Sequence, residues 1–403
     1  MQTATDPLPV AATSGSRIVL EDGRVLIDGI ASWWTACHGY NHPHIAAAVR
    51  AQLAVMPHVM FGGLAHEPAY TLAARLAALL PETPHVFFSD SGSVGVEVAM
   101  KMALQYWMNR KQPEKRRFVS FLGGYHGDTL GAMSVCDPDE GMHALFGAVL
   151  TKQDVLPLPS DAESHAALRR HLRDYAPSIA GMIVEPLVQG AGGMRFHAPE
   201  TLRRLRALAD AFDLPLILDE VFTGFGRTGA LFACRAAAVA PDIIVLSKAL
   251  TAGTMGLAAT LASARIHDAF LSDRAEAALM HGPTYMANPL ACAAANASLD
   301  LFETIPWRDN VEAIGEHLRA ELAPCRAAHG VRDVRVLGAI GVVEFDRAPD
   351  LAALKTRLTE LGVWVRPFGR TLYITPALNI GEADLAALTK AVATVVGERR
   401  MIQ

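Results

Sequence analysis

Cysteine is scarce in this 403-residue chain and never paired: Cys37, Cys136, Cys234, Cys292 and Cys325 are odd in number and none belongs to a CxxC. That pattern excludes a disulfide framework and a cysteine-built zinc site, and it suits buried thiols in a reducing compartment. Basic clusters are missing as well. The formal charge is -5 and the lysines and arginines are scattered, so there is no electrostatic footprint for nucleic acid or an anionic membrane. Long apolar runs are lacking: residues 253–264 are interrupted by Gly and Thr and fall short of a membrane span. The opening MQTATDPLPVAATSGS has neither the apolar core nor the basic leader of a signal peptide. A cytoplasmic protein that handles a small molecule is expected.

What the chain does have is apolar mass: 51% hydrophobic composition suffices to bury a large core, and the length suggests two domains or one large one with an appendage. It is organised around residues 214–250. Two short apolar runs there, LPLIL and DIIVL, read as buried strands, the first ending on Asp219 and the second leading to Lys248. Ligands of an open α/β sheet bind beyond the carboxyl ends of its strands, which offers both residues to one crevice. A pocketed lysine forms a Schiff base with an aldehyde, and a carboxylate facing a pyridine nitrogen keeps that ring electron-withdrawing; pyridoxal phosphate needs both. Taken singly, Asp219 could cap the next turn and Lys248 could lie at the surface. Gly224, Gly226 and Gly229 spell GxGxxG, but residues 219–223 separate them from the strand, so they read as a loop over the crevice rather than a dinucleotide site.

Around this centre, residues 17–30 alternate about Asp22-Gly23 as a β-hairpin does. The adjacent Trp33 and Trp34 point to different sides, so at most one serves the core: either both are packing, or one forms an aromatic wall of a pocket. His38, His42, His44, His58 and His66 match no ligand spacing, so no metal is expected. A helix is expected over 68–80. A strand at 85–88 gives way to Ser89-Asp90-Ser91-Gly92-Ser93 and a helix from about Val94. There Gly92 and Ser93 form either a phosphate site at a helix amino terminus or an ordinary cap. A strand at 118–121 leads to Gly123-Gly124-Tyr125-His126-Gly127, where Tyr125 can lie against a planar ring or fill a turn. Strand 181–184 delivers Glu185 to the crevice of Asp219. Gly282-Pro283 keeps Thr284 on a loop ahead of a helix at 290–302.

Alternation of strand and helix from about 85 to 260 indicates a mostly parallel, helix-flanked sheet. Beyond Pro306 the pattern changes to a helix at 311–327, strands at 334–337 and 341–345, a helix at 351–361, a hairpin at 363–375 turned at Gly369-Arg370, and a helix at 382–397. The expected division is an N-terminal segment 1–45 contributing to a small domain, a large domain 46–304, and a C-terminal α+β domain 305–403. Arg366 interrupts an apolar strand, either to hold an anion such as a substrate carboxylate or to make an internal salt bridge.

These residues carry a likeness. LILDEVFTGFGRTG, IIVLSKALT and HGPTYMANPLACAAANASL resemble the class III, fold type I pyridoxal-phosphate aminotransferases. ASWWTACHGYNHP, DSGSVGVEVAMKMALQYW, GGYHGDTLGAMSVCDP, EPLVQGAGGM and GVWVRPFG are similar to the biotin-synthesis branch of that family. The resemblance implies an α/β fold type I protein with a large and a small domain. Lys248 would carry the cofactor, Asp219 face its pyridine nitrogen, Gly92 and Ser93 hold the phosphate, and Tyr125 cover the ring. Gly282, Pro283 and Thr284 would reach the phosphate from a neighbouring subunit, which implies a homodimer with shared sites. Trp33, Trp34, Arg366 and Tyr373 would touch substrate, Arg366 taking its carboxylate. The implied reaction is a two-stage transfer from S-adenosylmethionine to 8-amino-7-oxononanoate, giving 7,8-diaminononanoate, with Lys248 moving the proton. A different donor such as lysine is the alternative, and Lys248 with Asp219 speaks against a non-catalytic relative. Members usually place a tyrosine ahead of a Pro-Leu-Pro-Val stretch. Here Pro7-Leu8-Pro9-Val10 is preceded only by Met1 to Asp6, and the first tyrosine is Tyr40, so either the start is truncated or the pocket is built without it.

Overall fold

The computed structural model describes residues 7–139 and 141–398; Met1 to Asp6, ahead of the Pro-Leu-Pro-Val stretch, lie outside them. Its strands, in chain order, begin with β1 (Val10–Ser14), β2 (Arg17–Leu20), β3 (Val25–Asp28), β4 (His85–Ser89), β5 (Arg117–Phe121), β6 (Asp154–Leu156), β7 (Ile179–Val184) and β8 (Val188–Gln189). They continue with β9 (Arg195–Phe196), β10 (Leu216–Asp219), β11 (Ile243–Leu246), β12 (Ala258–Ala262), β13 (Val331–Leu337), β14 (Ile340–Phe345), β15 (Val363–Trp364) and β16 (Thr371–Ile374). Seven of them form the central sheet in the order β4-β12-β11-β10-β7-β5-β6.

That sheet is parallel except for β12, which runs against both β11 and β4. The reason is length: the connection over 247–257 is too short for a helical crossover, so the chain comes back antiparallel. The apolar runs of β10 and β11 are buried on both faces. Ile217, Ile243 and Val245 belong to one core, while Leu216, Leu218, Ile244 and Leu246 belong to the other, as the period of two requires when helices cover both sides. This is the α/β, mostly parallel architecture expected of fold type I.

Directly after β4 the helix Gly92–Asn109 begins, with the Ser91 hydroxyl accepting from Val94 N–H as its cap. It lies close on the sheet because Gly95 has no side chain: a Cβ there would sit 2.9 Å from Val245 Cγ1. The helix expected over 68–80 is Glu67–Leu79, and the hairpin about Asp22-Gly23 is β2 with β3.

Three expectations are corrected. The hairpin at 363–375 does not form: β15 pairs in parallel with β3, in a sheet ordered β1-β2-β3-β15, while β16 pairs with β14. Pro367 has no N–H to continue a ladder, so the two ends part and only the bridge Phe368–Thr371 remains about the turn. Arg366 therefore follows a two-residue strand rather than interrupting a long one. The helix at 311–327 instead spans Trp307–Leu322 and tightens into a 3-10 turn, Ala323–Ala327, where Pro324 cannot donate to the α-helical ladder. The third concerns Gly224, Gly226 and Gly229, which do not cover the crevice. Gly224 and Gly226 lie buried, and Gly229 exposed, where the central unit meets the C-terminal elements: a Cβ on Gly226 would be 3.0 Å from the Trp307 ring, and Ala339 N–H donates to Arg227 O.

Candidate active site

The strand ends meet at a cavity of about 400 Å³ lined by Trp34, Gly92, Ser93, Tyr125, Glu185, Asp219, Val221, Phe222 and Lys248, among others. Asp219 is the last residue of β10, and Val245 of β11 is its register partner. Three residues further on, Lys248 enters a short 3-10 turn at φ 47, a left-handed backbone that turns its side chain off the sheet direction. Its Nζ lies 4.2 Å from the centroid of the Trp34 ring and makes no ion pair or hydrogen bond among the described residues. Burial pulls the amine from 10.5 down to about 8, against the opposing pull of Asp219, Glu185 and Asp128. A larger share of the amine is therefore neutral near neutral pH than for an ordinary lysine. A neutral amine is the nucleophilic form.

Asp219 is almost fully buried. Its Oδ2 lies 2.7 Å from His126 Nδ1, and its Oδ1 accepts from Val221 N–H at 3.1 Å, which fixes the carboxylate's orientation. His126 is the site residue the sequence reading passed over, although it stands next to Tyr125 in the glycine-flanked turn. Glu185 lines the same cavity, as expected. Its two oxygens accept from Tyr125 N–H at 3.0 Å and Gly190 N–H at 2.9 Å, and burial lifts its carboxyl to about 7. Tyr125 donates its hydroxyl to Asp128 at 2.9 Å and stacks on His143 at 5.5 Å. Ser93 Oγ accepts from Thr129 N–H at 3.0 Å, and Gly92 and Ser93, at the start of the Gly92–Asn109 helix, line the cavity.

The tryptophan pair sits on an unusual backbone. Ala31, Ser32, Trp33 and Trp34 have φ of 46, 50, 57 and 72°, a left-handed turn of four non-glycine residues that costs about 1–2 kcal/mol per residue. It sends the two rings apart. Trp34 is buried against Phe222, with ring centroids 4.4 Å apart, whereas Trp33 is half-exposed with the Arg366 guanidinium 4.2 Å from its ring. Among the described residues Arg366 has no ion pair, so the internal salt bridge is not formed. Tyr373 stands behind Trp34, fully buried with centroids 6.1 Å apart, and does not line the cavity. Gly282, Pro283 and Thr284 lie outside this chain's own cavity, and Thr284 is exposed. A second chamber of about 520 Å³ adjoins the first, sharing Tyr125 and Ala191 and reaching Arg195, Glu344 and Arg370.

Among the described residues no group of three or more His, Cys, Asp or Glu could hold a metal ion, and no helix is long and apolar enough to cross a membrane. The Aminotransferase class-III family profile matches residues 1–396. The chain belongs to that family, and pyridoxal phosphate is the cofactor the family indicates. It is 48% identical over 97% of its length, and 91% of the relative's, to the adenosylmethionine-8-amino-7-oxononanoate aminotransferase of Mycobacterium leprae. The crystal structure of the Methanocaldococcus jannaschii enzyme of that name superposes with a TM-score of 0.92 at 30% identity, covering 98% of this chain and 94% of that one. An amine transaminase from an uncultivated Pseudomonas species, solved in its PLP-bound form, gives a TM-score of 0.90 at 32% identity, covering 98% and 95%.

Proposed function

We propose that this chain transfers an amino group from S-adenosylmethionine to 8-amino-7-oxononanoate, forming 7,8-diaminononanoate in the cytoplasm for biotin synthesis. One observation carries the chemistry: a partly buried lysine without an ionic partner among the described residues lines the same cavity as a carboxylate that a histidine holds in place. The choice of substrates is supported by the activity named for the relative at 48% identity.

The residues present fit pyridoxal phosphate. The start of the Gly92–Asn109 helix offers unpaired N–H groups and the positive end of a dipole to a phosphate. Gly92 has to lack a side chain there, because a Cβ would be 2.8 Å from Val221 Cγ1. When bound, the cofactor supplies an electron sink for the substrate carbon that loses its proton. Asp219, oriented by His126, holds a fixed negative charge for the ring nitrogen. Lys248 Nζ, partly neutral near pH 8, takes up that proton and returns it. Tyr125, tethered through its own N–H and hydroxyl, presents a ring face, while Trp34 keeps water from the amine. Arg366 takes the acceptor's carboxylate beside Trp33, and Tyr373 supports the contact from behind Trp34. One cavity has to accept two unlike molecules in turn, a task better served by an aromatic wall than by many directional polar contacts.

The assembly we propose is a homodimer in which Gly282, Pro283 and Thr284 reach the partner's phosphate; their position outside their own cavity supports this. The pairing of β3 with β15 supports grouping residues 1–45 with 305–403 as the small domain and 46–304 as the large one. The test is spectroscopic. S-Adenosylmethionine alone should shift the absorbance of the holoenzyme to the aminated cofactor, and 8-amino-7-oxononanoate should restore it. A shift with lysine and none with S-adenosylmethionine overturns the donor, and a protein that takes up no pyridoxal phosphate overturns the whole reading.

A further inference from the structure

The left-handed turn at Ala31–Trp34 is held from one side by a single carboxylate. Asp28, the last residue of β3, is almost fully buried. Its Oδ1 accepts from Ile30 N–H at 2.9 Å, and its Oδ2 accepts from Ser32 N–H at 2.7 Å and from the Tyr40 hydroxyl at 2.6 Å. All three partners are donors, so only a group that accepts on both atoms satisfies them. Two of them are backbone N–H groups of the turn, one just before it and one at its second residue. Without an acceptor they would be stranded beside a backbone that already opposes its own side chains.

We infer that Asp28 is a positioning residue: by locking this turn, its carboxylate stations Trp34 over the Lys248 amine and Trp33 under the Arg366 guanidinium, and so sets the fit of both substrates without touching either. The geometry that links them is short at every step. Asp28 bonds Ser32 N–H, Ser32 adjoins Trp33, and the two rings lie 4.2 Å from the two cationic groups. Trp34 Nε1 is buried and has no hydrogen-bond partner among the described residues, so nothing polar on the ring itself fixes its place. The backbone does so, together with the packing of the ring against Phe222 and Tyr373.

This inference rests on the proposed aminotransferase reading, and the test separates the two. Wild-type holoenzyme is first shown to react with S-adenosylmethionine and 8-amino-7-oxononanoate; if it does not, the reading fails and Asp28 is not at issue. Asp28→Asn keeps the shape but points an NH2 at an N–H or O–H donor. It should raise KM for both substrates about tenfold, as the loss of a hydrogen bond to a charged group does, with kcat changed less than about threefold and the cofactor still bound. Near-ultraviolet circular dichroism of the cofactor-free variant should change in the tryptophan region, a signal that general destabilisation below the unfolding transition does not move. Adding Ser32→Gly, which accepts φ 50 without strain, should recover part of the lost affinity. An unchanged KM, an unchanged tryptophan spectrum, or no recovery with Ser32→Gly overturns the inference. Should Asp28→Asn fail to fold, Tyr40→Phe removes the hydroxyl that orients the Asp28 carboxylate and should move KM and the tryptophan spectrum the same way by a smaller amount; no change in either overturns the inference.

Discussion

Replacing Lys248 by methionine should make the cofactor-free protein more stable, even though the proposed chemistry rests on that lysine. The amine lies against the Trp34 ring at the cavity wall, and desolvation there moves its titration from 10.5 to about 8. That displacement corresponds to about 3 kcal/mol spent on keeping an ammonium in the cavity at neutral pH. Methionine has a similar length and no charge, so it keeps the packing against the ring and removes the cost. The sign follows from where protons bind. Between pH 8 and 10.5 the unfolded chain keeps its proton on this lysine and the folded one has lost it, so wild-type stability rises with pH across that window. Below about 8 both states are protonated and the full penalty is present; above 10.5 neither is and the penalty is gone. Urea unfolding of the two cofactor-free proteins from pH 7 to 10.5 should thus show Lys248→Met ahead by up to about 3 kcal/mol at pH 7, with the gap closing through pH 8 to 10.5. Other lysines and tyrosines titrate in both proteins and cancel in the difference. A gap that stays constant over that window, or a wild type more stable at pH 7, would refute the claim that Lys248 is held as a destabilised amine.

Two further substitutions probe the walls of the site. Gly127→Ala puts a Cβ 2.3 Å from Ser93 Oγ at a backbone with φ 125°, so it should lower stability by about 1–3 kcal/mol and weaken cofactor retention in dialysis; unaltered retention would show that the Ser93 turn tolerates displacement. Arg366→Ala, which breaks no ion pair among the described residues, should leave the urea midpoint nearly unchanged. It should raise KM for 8-amino-7-oxononanoate by about thirtyfold, the worth of one charge-assisted hydrogen-bond pair, in steady-state assays with S-adenosylmethionine held saturating.

How much of this could be read from the sequence depended on whether the determining forces were local. Asp219, Glu185 and Lys248 were legible because each follows a buried apolar run, and in a helix-covered parallel sheet such runs deliver their last residues to one edge. The turn at Gly92-Ser93 was legible because small residues before a helix expose its first N–H groups. His126 was not, since its bond to Asp219 spans 93 positions and depends on how the loop after β5 crosses the end of β10. The expected hairpin at 363–375 failed for a related reason: both of its arms had better partners elsewhere, and Pro367 left no local ladder to hold them together. The turn at Ala31–Trp34 was the least legible, because residue propensities argue against it; besides its own backbone bonds, it draws on the acceptor-only carboxylate of Asp28, which the distant Tyr40 hydroxyl also engages. Lys248 at φ 47 breaks the same rule, and its ring neighbour Trp34 sits on that turn. Five of the non-glycine residues held at positive φ, Ala31 to Trp34 and Lys248, thus gather beside the amine of the proposed site, where natural sequences tend to give up local consistency for function.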